Sequence, residues 1–211
     1  MLLIAHRGDT INFPENTIPA FRSAIEKGAG GFETDIQVVD NEVVVVHNYL
    51  ARGNGPFPKL IEVLQEFGGK THMELEIKSF LLPDVQKILE VLAKNPTSDT
   101  EVTSSVLPIL PYVRKALPSY DVGAIFKKSF IEDYMTPEFI AEILMGYAET
   151  VGANVIHLPP QINDASIITT LKKRFRVHHH IFTAERKEYE KIRALGPDRA
   201  TVVDIRLFDV L

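Results

Sequence analysis

Short runs of β-forming apolar residues alternate with amphipathic helical stretches along the whole chain. This rhythm is typical of a parallel α/β architecture, because a helix has to carry the chain back between two parallel strands. Eight strands are predicted, at residues 2–6, 31–37, 72–78, 101–105, 121–126, 154–158, 175–182 and 200–205. Seven helices are predicted between them, at residues 18–27, 59–67, 83–93, 107–116, 137–147, 165–173 and 184–195.

The number of strands favours a closed barrel over an open doubly wound sheet. The chain of 211 residues lacks the glycine-rich dinucleotide fingerprint that marks many open sheets. Residues 42–47 follow the second strand after only a tight turn, so we expect them to form an antiparallel hairpin with it. The expected fold class is α/β, a (β/α)8 TIM barrel with a short antiparallel hairpin strand after the second barrel strand. At this length we expect a single domain spanning residues 1–211.

Charge and cysteine content narrow the classes of partner. The net charge of −5 argues against a nucleic-acid or anionic-membrane surface, which normally carries a basic excess. The absence of cysteine excludes disulfides and thiolate metal sites, so any metal must take oxygen or imidazole ligands. The apolar run at the amino terminus is shorter than a signal peptide, and no run has the length of a membrane span. We therefore expect a cytoplasmic protein without a stable membrane anchor; the oligomeric state stays open.

Charged side chains gather near the ends of the first three predicted strands, where a (β/α)8 barrel has its active site. Residues two apart in a strand share a face, so these side chains are expected to converge. Burying several carboxylates is costly unless they bind something, and carboxylate oxygens suit a hard divalent cation such as Mg²⁺, Mn²⁺ or Ca²⁺. The side chains are His6 and Arg7 on the first strand, Glu33 and Asp35 on the second, and Glu74, Glu76 and Lys78 on the third.

Two histidines are candidates for proton transfer. The hairpin returns His47 to the end of the barrel that holds His6, and histidine titrates near neutral pH. Arg7, with its planar fork of donors, suits a phosphate oxygen, and Lys78 can help in the same way. Each of these residues also has a purely structural interpretation: a lone histidine is more often a hydrogen-bonded core residue, and strand carboxylates are more often solvated.

Taken together, five motifs resemble the glycerophosphodiester phosphodiesterase family in order and approximate spacing. They lie between Met1 and about Lys78, and the rest of the chain is similar to the family only in its alternation of strands and helices. Five linked motifs are far more specific than any one of them. The motifs are His6-Arg7-Gly8, Glu15-Asn16-Thr17, Phe32-Glu33-Thr34-Asp35, Val-Val-Val-His47 and Glu74-Leu-Glu76-Ile-Lys78.

The resemblance implies a metal-dependent hydrolysis of a small glycerophosphodiester to an alcohol and glycerol 3-phosphate. It implies one divalent cation, Mg²⁺ or Ca²⁺ with Mn²⁺ as a further option. Whether the nucleophile is water or a neighbouring hydroxyl of the substrate is left open. The assigned residues are Glu33, Asp35 and Glu76 as metal ligands, His6 and His47 as the acid–base pair, and Arg7, Glu15 and Lys78 as substrate-binding residues; Glu74 is left as a supporting residue.

The chain departs from the family pattern in three places. Asn48 follows His47 where an aspartate is usual, and residues 48–58 are much shorter than the usual insertion. The seventh strand reads His178-His179-His180 where the family commonly has Trp-Thr-Val-Asn, so His180 is expected to replace an aromatic wall of the substrate pocket. A single metal site using all three histidines is disfavoured, because adjacent strand residues point to opposite faces.

Two other functions stay open. One keeps the barrel and the site but changes the substrate to a lysophospholipid, for which Tyr49, Leu50 and Phe57 are the candidates for an exposed apolar rim. The other is a catalytically decayed module that binds a phosphorylated ligand, as Asn48 and the short insertion suggest. Turnover of soluble and lipid substrates distinguishes the three functions.

Overall fold

The computed structural model describes residues 1–48, 55–182 and 185–206, and eight of its strands close into a parallel barrel. Around the ring, β1 pairs with β2, β2 with β4, and each later strand with the next until β9 returns to β1. The predicted (β/α)8 barrel is confirmed. The strands are β1 (Leu2–His6), β2 (Gly31–Val39), β3 (Glu42–Val45), β4 (His72–Ile77), β5 (Thr100–Ser104), β6 (Asp121–Ile125), β7 (Val155–His157), β8 (Arg176–Ile181) and β9 (Arg199–Val202).

The strand outside the ring is β3, which pairs with β2 in antiparallel orientation. The turn between them consists of Asp40 and Asn41, with φ angles of 46° and 67°. Two consecutive left-handed residues make the kind of tight turn whose twist matches a β-hairpin, and Asp and Asn tolerate that conformation. The predicted hairpin is therefore confirmed, and it brings the chain after β3 back toward the carboxyl end of β2.

Seven α-helices surround the barrel in the part of the chain that the structure describes. Thr17 caps the first of them by accepting a hydrogen bond from the Ala20 amide, and the left-handed Gly196 ends the last. None of the described helices is both long enough and apolar enough to pass through a bilayer. The helices are α1 (Ile18–Glu26), α2 (Leu60–Phe67), α3 (Leu82–Lys94), α4 (Leu110–Ala116), α5 (Pro137–Thr150), α6 (Ala165–Leu171) and α7 (Arg186–Leu195).

The apolar core lies between the ring of strands and the helices. Phe21 of α1 stacks on Phe32 of β2 with ring centroids 4.2 Å apart, and Phe67 of α2 meets Phe32 edge-on. The inside of the barrel is different, because buried glutamates and histidines occupy positions that branched aliphatic residues usually fill in this fold. The packing energy therefore comes mainly from the outer layer, and the barrel interior carries polar chemistry.

Candidate active site

Three carboxylates meet at the carboxyl ends of β2 and β4. Glu33 and Asp35 lie two residues apart on β2, and the register places Asp35 opposite Glu76 of β4. One oxygen from each of the three side chains lies within 4.8 Å of the other two. Glu33 and Asp35 are buried, and Glu76 is nearly so. This is the spacing of a group of ligands around one cation.

Glu33 is the carboxylate with the fewest partners. Neither of its oxygens has a hydrogen-bond partner among the described residues, and the imidazole of His6 lies close by, with Nε2 3.7 Å from Oε2. Burial, followed by repulsion from Asp35 and Glu76, raises the pKa of Glu33 well above its usual value. A divalent cation would offset both the cost of the buried charge and the repulsion, so the site fits a hard metal ion.

Asp35 is held by three cationic or amide groups. Arg7 Nε lies 3.0 Å from Oδ2, Lys78 Nζ lies 3.1 Å from Oδ1, and Asn16 Nδ2 donates to Oδ2 at 3.0 Å. Burial alone would raise the pKa of Asp35, but Lys78 and Arg7 outweigh burial and lower it. Asp35 is therefore ionised and oriented without a metal ion.

The loop after β1 carries backbone strain at this site. Arg7 and Asn16 both have left-handed φ angles, 59° and 58°, and Gly8 between them has φ of 83°. A Cβ atom on Gly8 would lie 2.6 Å from the Ala20 carbonyl carbon, so only glycine lets the loop approach α1. Asn16 also accepts a hydrogen bond from Thr34 Oγ1 at 2.7 Å. The strained conformation is what aims Arg7 and Asn16 at Asp35.

The two cations at the cluster are each shared between carboxylates. Arg7 Nη1 lies 2.9 Å from Glu15, whose side chain is half exposed, and Lys78 Nζ lies 2.7 Å from Glu76. When Glu15, Glu33, Asp35 and Glu76 are all ionised, Arg7 and Lys78 offset two of their four negative charges. The two that remain match the charge of one divalent cation.

His6 and His47 approach the cluster from different elements. Burial, followed by the charge of Arg7, lowers the pKa of His6 to about 4. The Val46 amide donates to the Asp35 carbonyl at 2.9 Å, which brings His47 to this end of the barrel. A protonated His47 would help to lower the pKa of both His6 and Asp35, so its side chain lies within electrostatic range of the cluster.

A cavity of about 530 Å³ opens beside the carboxylates. Ser105, Lys127 and Lys128, which follow β5 and β6, are among its polar lining residues. Its lining also includes the apolar residues Ile125, Phe126, Leu158, Pro159, Pro160 and Phe182, of which Phe182 meets the His6 ring edge-on with centroids 6.0 Å apart. The cavity is large enough for a small diester and offers it both charged and apolar surface.

Beneath the cavity, ion pairs join buried residues inside the barrel. Glu74 Oε1 lies 2.8 Å from His178 Nδ1, and Glu101 lies 2.7 Å from His157 and contacts Arg199. Burial opposes ionisation of Glu74, but His178 outweighs burial and holds the pKa of Glu74 well below its usual value. Burial likewise acts to lower the pKa of His157, and Glu101 outweighs it and raises that pKa. Glu74 belongs to this network rather than to the carboxylate cluster.

The structure brings the residues singled out from the sequence to one end of the barrel. Asp35 and Glu15 are joined to the other site residues by their ion pairs with Arg7. His47 and Asn48 follow β3, and both make contacts within the described chain. Tyr49 and Leu50 lie outside the described residues, and Phe57 is half-buried. The cavity is lined by His6, Arg7, Glu33, Glu76, Lys78 and His180.

Sequence reasoning missed two features of the site. Asn16 was part of the Glu15-Asn16-Thr17 motif but was given no role at the site, whereas in the structure Thr17 caps α1 and Asn16 holds Asp35. The pairing of Glu101 with His157 was also missed, because the two residues are 56 positions apart and meet only across the ring. The alternation His178-x-His180 was the visible signal for imidazoles inside the barrel, since these residues share a face.

Comparisons with known proteins agree with this geometry. The model of the glycerophosphoryl diester phosphodiesterase family matches residues 6–174. A glycerophosphodiester phosphodiesterase of Caldanaerobacter subterraneus is 30% identical over 169 residues, covering 63% of this chain and 70% of the relative.

Solved structures of similar proteins share the fold over their whole length. A glycerophosphodiester phosphodiesterase from Thermotoga maritima has a TM-score of 0.78 at 23% identity and covers 100% of this chain and 97% of its own. A phosphodiesterase from Oleispira antarctica, solved in complex with the product sn-glycerol-3-phosphate, has a TM-score of 0.77 at 18% identity. The match covers 99% of this chain and 96% of the Oleispira chain. At these identities the likeness shows the fold.

Proposed function

Because the chain belongs to the glycerophosphoryl diester phosphodiesterase family, we propose that it hydrolyses glycerophosphodiesters to an alcohol and glycerol 3-phosphate. The observation that carries this proposal is Glu33, a buried carboxylate without a hydrogen-bond partner in the described chain, set between Asp35 and Glu76 and close to His6. An unpaired buried carboxylate is costly, and binding a cation beside a phosphodiester removes the cost.

Glu33, Asp35 and Glu76 are the residues that would hold one Mg²⁺ or Ca²⁺ ion, with Mn²⁺ as an alternative. The bound cation supplies positive charge to the phosphoryl oxygens as negative charge develops on them. Arg7 and Lys78 contribute to the same charge balance from opposite sides of Asp35. A bound phosphate group would give Arg7 and Lys78 a further anionic partner in addition to their two carboxylates.

The two histidines divide the proton transfers between them. His6 has its pKa lowered to about 4, so it is neutral at neutral pH and accepts a proton from the nucleophile. His47, brought close by the hairpin, donates a proton to the oxygen of the leaving alcohol. Glu15 holds the Arg7 side chain toward the phosphate through its 2.9 Å ion pair.

The apolar and aromatic lining of the cavity receives the rest of the substrate. His180 and Phe182 stack with ring centroids 5.6 Å apart and lie on the cavity surface. Half of the Phe182 surface is exposed, and it continues the apolar wall to the rim. That exposed apolar surface favours a second candidate substrate, a lysophospholipid, whose acyl chain would lie along the wall.

We expect His6→Ala to lower the turnover rate about 10²–10⁴-fold, because general acid–base catalysis contributes that much. The measurement is release of glycerol 3-phosphate from glycerophosphocholine and glycerophosphoethanolamine with Mg²⁺, Mn²⁺, Ca²⁺ or a chelator. His179→Gln is the matched control, since His179 faces away from the cavity and bonds the Ile162 carbonyl. Lysophosphatidylcholine is assayed in parallel.

The outcomes separate the candidate functions. Cation-dependent release that fails in His6→Ala and survives in His179→Gln supports the proposal. Cleavage of lysophosphatidylcholine but of neither soluble diester would show that the substrate is a lysophospholipid. A well-folded protein that binds glycerol 3-phosphate and turns over neither substrate with any cation contradicts the enzymatic function and leaves a binding module.

A further inference from the structure

Three imidazoles from neighbouring strands meet at the floor of the cavity. His157 lies on β7, and His178 and His180 lie on β8 with side chains on one face of the strand. Their ring centroids are 4.2 Å apart for His157 and His178, 5.6 Å for His157 and His180, and 5.2 Å for His178 and His180. One nitrogen from each ring lies within 4.8 Å of the other two.

Two of these rings carry nitrogens without a hydrogen-bond partner among the described residues. These are Nδ1 of His157, which is 1% exposed, and both nitrogens of His180. Both rings line the cavity. A buried imidazole nitrogen without a partner loses the hydrogen bond it had in water, so these atoms are placed to bind something that enters the cavity.

Two of the rings each have a carboxylate in contact with one of their nitrogens. Glu101 Oε1 lies 2.7 Å from His157 Nε2, which leaves Nδ1 on the other side of the ring, and Glu74 Oε1 lies 2.8 Å from His178 Nδ1. A carboxylate on one nitrogen of a histidine sets the ring orientation and raises the basicity of the other nitrogen, as it does behind metal-binding histidines.

We propose that His157, His178 and His180 form a second metal site, which binds a transition-metal ion such as Zn²⁺ and leaves a fourth position open to the cavity. Three imidazoles and an open position are a common ligand set for zinc. Nitrogen ligands also prefer Zn²⁺, Co²⁺ or Ni²⁺ to the hard cations that suit Glu33, Asp35 and Glu76. The cavity then offers two sites of different metal preference.

The site needs a small rearrangement before it closes on an ion. The rings of His157 and His178 are nearly parallel, with an angle of 12° between them, and His178 Nε2 lies 2.7 Å from Thr201 Oγ1. Two stacked rings cannot both aim a lone pair at one ion, so at least one of them rotates about its side-chain torsions on binding.

A purely structural hydrogen-bond network in the barrel core would explain why His157 and His178 are buried there, since each has a carboxylate partner. It would not account for His180, which takes no part in that network and has both nitrogens unpartnered in the described chain. His180 is therefore the residue on which the test depends. The proposal does not rest on the proposed function, because metal binding is measured without substrate.

The experiment compares wild type with His157→Gln, His180→Gln and the control His179→Gln. His179 is adjacent in sequence and lies on the other face of β8, so the control removes an imidazole of the same strand. Binding of ZnCl₂ is measured by calorimetry in excess Mg²⁺, which occupies the carboxylates, and visible absorption is recorded with CoCl₂. Thermal unfolding establishes that each variant is folded.

We expect wild type and His179→Gln to bind Zn²⁺ with equal affinity, and the His180 and His157 variants to bind it at least about ten-fold more weakly. Strong visible absorption of bound Co²⁺, typical of four-coordinate nitrogen ligation, should disappear in the same two variants. Two results would overturn the proposal: Zn²⁺ affinity that is unchanged in His180→Gln, or an equal loss in His179→Gln.

Discussion

Asn16 shows how one residue can link backbone conformation to the electrostatics of a site. Its left-handed φ of 58° is tolerated by asparagine, and its buried amide donates to Asp35 while accepting from Thr34. An alanine at this position would lose both hydrogen bonds and would also strain the backbone. A glycine would lose the hydrogen bonds only, so the two substitutions separate the two effects.

We expect Asn16→Gly and Asn16→Ala to weaken binding of Mn²⁺ about 10–100-fold, since residues that orient metal ligands typically contribute that much. Asn16→Ala should also lower the free energy of unfolding, by about 1 kcal/mol more than Asn16→Gly, because of the left-handed backbone. Calorimetry and thermal unfolding measure the two quantities. Wild-type affinity for Mn²⁺ in Asn16→Gly would show that the amide does not orient Asp35.

Among the strands, β6 shows how a small residue admits a buried ion pair. A Cβ atom on Gly123 would lie 2.1 Å from Glu101 Oε1 and 2.8 Å from His157 Nε2. The pair of Glu101 and His157 therefore depends on a glycine in the neighbouring strand. The strand pattern alone marks Gly123 as a weak β-former and gives no indication of this role.

We expect Gly123→Ala to lower the free energy of unfolding by about 1–3 kcal/mol, the usual effect of adding a methyl group to a filled core. Gly146→Ala is the matched control, because Gly146 lies in α5 with no atom within 4 Å of a Cβ. The control should gain about 0.5–1 kcal/mol from helix propensity. Urea denaturation measures both, and equal stability of Gly123→Ala and wild type would contradict the packing argument.

Element boundaries were predicted less well than element types, for local chemical reasons. β7 spans Val155–His157, one residue shorter at each end than the predicted 154–158, although the Asn154 backbone still bonds Val122 and Arg176 and the Leu158 amide still donates to the His178 carbonyl. β9 ends at Val202 rather than residue 205, since Asp204 accepts from the Arg206 amide and begins a turn. Side-chain hydrogen bonds of this kind are invisible to hydrophobic periodicity.

For the whole molecule, the carboxylate cluster makes the stability of the fold depend on pH and on whether a cation is bound. The pKa of Glu33 is raised above its ordinary value of 4.5, so the folded protein holds that proton more tightly than the unfolded chain does. Stability of the cation-free protein is therefore expected to fall as the pH rises through the interval between 4.5 and the raised pKa. A bound cation removes this loss by balancing the charge.

We expect Mg²⁺ or Ca²⁺ at 100 times its dissociation constant to stabilise wild type at neutral pH by about 2.7 kcal/mol. Glu33→Gln should be more stable than wild type without cations, since it removes a buried charge repelled by its neighbours, and should lose most of the cation effect. Thermal unfolding with chelator and with added cation measures both. A Glu33→Gln protein that is less stable than wild type in chelator would show that Glu33 is not electrostatically strained.

The sequence by itself determined the order of strands and helices, the hairpin and the common face of Glu33 and Asp35 on β2. These follow from local rules, since alternation along one element records which of its faces is buried, and Asp40-Asn41 admits a tight turn. The tertiary structure alone decided which distant residues meet. Closure of the ring sets His157 beside His178, and the path of the loop after β1 brings Asn16 to Asp35. Such contacts depend on strand neighbours and loop geometry, which no local pattern of residues encodes.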